Sequence, residues 1–137
     1  MNAGRIIIAA LVAGVVMNFI DYVSFTYLFP GYMQMPFMNP TPPIPWLVLC
    51  DFIYALVFTV VFDRVRTSFG TGPKNGSTYG FYAGVLMNFP TWIFMHLIVK
   101  DWPYAYSWFS TIYGIVGAMI IGAVVGAMYG RGQTATA

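Results

Sequence analysis

The segment Ala13-Gly14-Val15-Val16-Met17-Asn18-Phe19 returns seventy residues later as Ala83-Gly84-Val85-Leu86-Met87-Asn88-Phe89. Self-similarity at a fixed spacing marks an internal repeat, and it constrains this chain more than any single motif. Each copy sits in a long apolar segment, followed by a proline-containing loop, an opening tryptophan (Trp46, Trp108) and a second apolar segment. The expectation is an all-α fold: a four-transmembrane-helix bundle made of two repeated helix pairs with 2+2 pseudo-symmetry. One pair alone would leave half its packing surface facing lipid.

Lipid is the expected solvent because 59% of residues are hydrophobic and 7% are charged, six Lys or Arg and four Asp in 137 residues. Too few charges remain to cover a water-soluble globule. The net charge of +2 argues against nucleic acid as a partner. The single cysteine, Cys50, excludes an internal disulfide and leaves an intermolecular bridge or, as the preferred reading, a small buried thiol.

The whole chain, 1–137, reads as one integral membrane domain with spans at about 6–29, 45–63, 77–99 and 106–129. The first apolar run exceeds the roughly 7–15 residues of a signal-peptide core, so it is read as a retained span. Between the first two spans, Pro30 to Pro45 holds six prolines and no charge, with Tyr32, Met33, Met35, Phe37 and Met38 interleaved. That composition predicts an extended or turn-rich surface loop and no helix. Asp63, Arg64 and Arg66 are expected to end the second span, and Ser68 to Gly76 to form a tight hairpin. That hairpin lacks the GxxxxGK[ST] pattern of a phosphate-binding loop. Pro90 is expected to kink the third span, because it leaves the Leu86 carbonyl without its usual amide. Arg5, Arg64, Arg66, Lys74 and Arg131 fall on one side of these spans and Lys100 on the other. Basic residues are retained in the cytoplasm, so both termini are expected there, with the chain in a bacterial inner membrane.

Small residues recur at four-residue spacing: Gly114, Ala118, Gly122, Gly126 and Gly130 in the fourth span, Gly76, Gly80 and Gly84 in the third, and Ala10 and Gly14 in the first. Residues so spaced share a helix face, and small side chains let membrane helices approach closely. These are the expected packing faces, within the chain or against partner subunits.

The third-span register continues into Asn88, Trp92 and His96. At ~1.5 Å rise per residue, Asp21, Asp51 and His96 come out roughly 6–12 Å from the outer ends of their helices, with Asn18 and Asn88 about one turn deeper. Ionisable groups are costly in hydrocarbon and are expected to face the bundle and find one another. Asn18, Asp21, Asp51, Asn88 and His96 therefore form the candidate outward-facing polar pocket. The competing reading is a satisfied hydrogen-bond network that locks the helices together.

No cofactor is predicted from these residues. A haem or chlorin held through His96 is a minor reading, since this is the only histidine. Met33, Met35 and Met38, with Cys50 and His96 on the same side, resemble a soft-metal set for Cu(I), but methionine also fills apolar gaps. The chain has no glutamate, no HExxH and no GxSxG, so no enzyme is expected. The Gly4-Arg5 start, the Ala-Gly-Val-Val-Met-Asn segment and Phe69-Gly70-Thr71-Gly72-Pro73-Lys74 together resemble small uncharacterised four-span bacterial membrane proteins. That resemblance implies the architecture and no activity. The function expected first is a non-enzymatic accessory or scaffold subunit, in contact with lipid and with other membrane subunits or further copies of itself. The alternative is a small transporter or channel with the polar pocket as its binding site.

Overall fold

A computed structural model describes residues 3–36, 38–39 and 41–130, with only the backbone of Met33. Phe37, Arg131 and the side chain of Met33, all invoked above, lie outside the described residues. The helices are α1 (Ala3–Val23), α2 (Ile44–Phe69), α3 (Pro73–Ile98) and α4 (Tyr104–Gly130). A π-helical turn, Ser24–Leu28, prolongs α1, and a 3-10 turn, Pro30–Gln34, follows it. Four helical segments are long and apolar enough to cross a membrane: Ala3–Leu28, Ile44–Phe69, Pro73–Ile98 and Tyr104–Gly130.

These segments run 26 or 27 residues. At ~1.5 Å per residue each is about 39 Å long, more than a hydrocarbon core of about 30 Å requires. The surplus explains two departures from the sequence reading. α2 does not stop at Asp63 but continues to Phe69, and α3 begins at Pro73 instead of Ser77. Proline at the first helical position has no amide to waste and a φ already suited to the helix. The hairpin between them thus shrinks to Gly70, Thr71 and Gly72. Gly70 takes φ +83° and its amide donates to the Arg66 carbonyl at 2.7 Å, which closes the end of α2. The proline-rich loop also differs from expectation. Pro30 opens a helical turn, and Pro45 lies in the first turn of α2, both being places where a missing amide costs little. Pro90 is accommodated inside an unbroken α3.

The chain divides into two compact units between Asp63 and Arg64. In the first, α1 buries Ile6, Ala9, Ala10, Ala13 and Gly14, a single stripe at three- and four-residue spacing. The Phe52 ring of α2 lies against Gly14, in the space a Cβ would take. In the second unit, α3 and α4 pack along their small residues. A methyl group at Gly76 would strike the Gly122 carbonyl, one at Gly80 would lie 2.9 Å from the Met119 Cα, and one at Gly84 would lie 2.9 Å from the Ile115 Cα. The hairpin joins the same contact: Gly72, at φ +96°, donates its amide to the Gly126 carbonyl at 2.9 Å. Backbone therefore meets backbone along this pair, which is the packing that small residues permit in lipid. Elsewhere α3 carries Leu86, Leu97 and Ile98, each at least 70% exposed, as a helix solvated by lipid requires.

Candidate functional site

The first unit holds a half-open cavity of about 500 Å3. Asn18, Asp21, Tyr22, Phe25 and Thr26 come to it from α1 and its π turn, Tyr32 from the 3-10 turn, Met38 and Pro42 from the loop, and Ile44, Leu47, Val48, Cys50 and Asp51 from α2. Helical spacing explains both faces. Positions 18, 21, 22 and 25 share one side of α1, and 44, 47, 48 and 51 share one side of α2. The π turn widens the backbone where α1 ends, its Phe29 amide donating to the Ser24 carbonyl at 2.7 Å, five residues back. Insertions of this kind recur at functional sites. The chain then turns so that the Tyr32 ring reaches Phe25, their centroids 5.0 Å apart.

The polar inventory of this cavity is rich in acceptors. Asn18 commits its Nδ2 to the Gly14 carbonyl at 2.9 Å, which leaves the amide oxygen as its other pole. Asp21 and Asp51, both half-buried, lie close enough for their charges to interact. No Lys, Arg or His lines the cavity among the described residues. Cys50 is exposed and lines the cavity, which corrects the expectation of a buried thiol.

Asn88 and His96 belong to the second unit. Asn88 makes the same kind of bond as Asn18, donating Nδ2 to the Gly84 carbonyl at 3.0 Å, and its side chain fills the space over Gly114. His96 donates Nδ1–H to the Trp102 carbonyl at 3.0 Å, and its ring packs on Tyr104 with centroids 4.9 Å apart. Around it Trp102 donates Nε1–H to the buried Ser107 hydroxyl at 3.1 Å, and its ring meets Trp92 and Tyr106. An aromatic cluster with polar tips is the composition of a membrane-interface belt. The partner of Nδ1 is a backbone carbonyl six residues on, which no side-chain pattern announces.

Among the described residues no three His, Cys, Asp or Glu side chains converge as a metal-binding set. Ala10 and Gly14 lie on the buried stripe of α1, and Gly80, Gly84, Gly114, Ala118, Gly122 and Gly126 lie at or beside the α3–α4 contact. Asp63, expected to end the second span, lies inside α2 and is only 8% exposed. The aromatic wall of the cavity is absent from the sequence reading: Tyr22 and Phe25 follow from four-residue steps from Asn18 and Asp21, whereas no helical spacing leads to Tyr32. No family model matches the chain, nor does any curated protein or solved structure.

Proposed function

We propose that the protein is a small bacterial inner-membrane protein that binds, and by alternating access carries, a small solute taken from the outer side. The cavity of the first unit is the observation that supports this reading. It places two carboxyl groups and an amide where hydrocarbon would otherwise exclude them, and polar groups at membrane depth mark substrate paths by default. Both termini are cytoplasmic in this reading, and the two copies of the repeat are its halves. The matching amide-to-carbonyl bonds of Asn18 and Asn88 support that pairing. No catalytic role is assigned.

A second reading, an accessory subunit of a larger membrane complex, is supported by α3. Only 6% of its most apolar window is buried, which leaves a broad surface for a partner as well as for lipid. The small-residue row argues against the version first expected, because in the second unit α3 and α4 use that row on each other.

Cys50 lines the cavity and is the sole cysteine, so the unaltered chain carries its own probe. A water-soluble, membrane-impermeant thiosulfonate added outside intact cells is expected to label it. Reaction with membrane-soluble maleimides alone would show the cavity closed to water and would overturn the solute reading in favour of the subunit one.

A further inference from the structure

We infer that the second unit binds an anionic phospholipid, with its phosphate at Lys74 and Ser77 and an acyl chain along Phe81, Tyr82 and Met119. The site lies wholly outside the cavity of the first unit and does not depend on the solute reading.

An open pocket of about 390 Å3 runs down one face of α3, lined by Lys74, Ser77, Thr78, Phe81 and Tyr82, with Met119 contributed by α4. Steps of three and four residues put the five α3 positions on one side of the helix. The adjoining row of Gly76, Gly80 and Gly84 draws the α4 backbone into contact. Close approach along that row leaves a furrow beside it, with Met119 at its edge.

Depth orders the lining as a phospholipid is ordered. α3 outruns a hydrocarbon core by about 9 Å, and that surplus, shared between its ends, leaves roughly its first three residues in the headgroup layer. Lys74 falls there. Ser77 and Thr78 come about 5 Å deeper, at the glycerol level, and Phe81 and Tyr82 about 11 Å deeper than Lys74, among acyl chains. Phe81 and Tyr82 are 43% and 60% exposed, so apolar surface remains for a chain to lie on.

Charge selects the headgroup. The lining holds one cation and no carboxylate. Within the second unit the single acidic residue is Asp101, beyond the far end of α3. Asp63, the last residue of the first unit, is buried in α2 and does not line the pocket. α3 also begins here, with glycine at its cap and no side-chain cap hydrogen bond, so the positive end of its dipole adds to Lys74. Thr78 commits its hydroxyl proton to the Lys74 carbonyl at 3.0 Å. The Ser77 hydroxyl has no partner among the described residues and can donate to a phosphate oxygen. An ethanolamine lipid would bring its own ammonium beside Lys74, and a free inorganic anion would leave the apolar half of the pocket unfilled.

The test is the binding of single lipids to the full chain in mild detergent, counted by native mass spectrometry. Dioleoyl-phosphatidylglycerol is compared with dioleoyl-phosphatidylethanolamine, and the first lipid bound is expected to favour the anionic one about fivefold. Lys74→Gln should remove that preference. Arg64 supplies the control, being exposed, in the same unit and outside the pocket lining, so Arg64→Gln should leave the preference intact. Glycerophosphoglycerol, the same headgroup without chains, should not displace the lipid at equal concentration. Equal binding of the two lipids overturns the site. A preference that survives Lys74→Gln, or that falls equally in both variants, reduces it to diffuse surface attraction and overturns the pocket. Displacement by glycerophosphoglycerol overturns the lipid in favour of a soluble phosphodiester. Should Lys74→Gln not accumulate, the two lipids and the soluble headgroup still decide on the unaltered chain.

Discussion

At the scale of single residues, Gly72 shows how sequence and contact can be separated. It sits at φ +96°, and a methyl group there would meet nothing within 4 Å. The cost of Gly72→Ala is therefore conformational, about 1–2 kcal/mol, and the expected result is a lower thermal midpoint in detergent with an unchanged oligomeric state. Ser107 tests the opposite case. It is fully buried and accepts the Trp102 indole proton, so Ser107→Ala strands a donor and should cost about 1–3 kcal/mol, with an altered tryptophan emission spectrum as the local readout. Legibility in the sequence divides along the same line. The depth of Asp21 and Asp51 could be reckoned from helical rise, and the cost of burying charge argued that they would not face lipid. Tyr32 could not be placed, because it reaches the cavity through a 3-10 turn inside a segment whose prolines suggested extension. The Trp102 carbonyl was equally hidden, since every residue carries one and only the fold selects which is used.

At the scale of elements, the four spans were legible because a bilayer demands a fixed apolar length, and their ends were not, because helices outrun the hydrocarbon. α2 carries Asp63, Arg64 and Arg66 in its last two turns, and charges that close to the membrane edge interrupt hydropathy without interrupting a helix. The small-residue rows of α3 and α4 were legible as faces from spacing alone; which face met which was not. Gly122 and Gly117 now distinguish contact from mere helix content. A Cβ at Gly122 would strike the Gly76 carbonyl, a backbone atom that cannot step aside, whereas Gly117 has open space. Gly122→Ala is expected to destabilise the pair and Gly122→Leu to disrupt it, while Gly117→Ala should be neutral or stabilise by about 0.5–1 kcal/mol. Thermal unfolding of the three variants in one detergent checks the order. Equal midpoints for Gly122→Leu and the unaltered chain would place the row outside any contact.

At the scale of the whole molecule, orientation is the property that charge alone argues for, with Arg5, Arg64, Arg66 and Lys74 on one side of the described spans and Lys100 on the other. In a Cys50→Ser background, a cysteine at Thr71 is expected to resist an impermeant reagent outside intact cells and one at Thr41 to react. The reverse pattern would invert the topology and turn the cavity toward the cytoplasm. The contact of α3 with α4 limits the motions open to the second unit. Backbone meets backbone at several successive levels, from Gly126 against Gly72 to Gly84 against Ile115, so no single side chain can be withdrawn to let the two helices part. A rearrangement of this unit would have to move α3 and α4 as whole bodies.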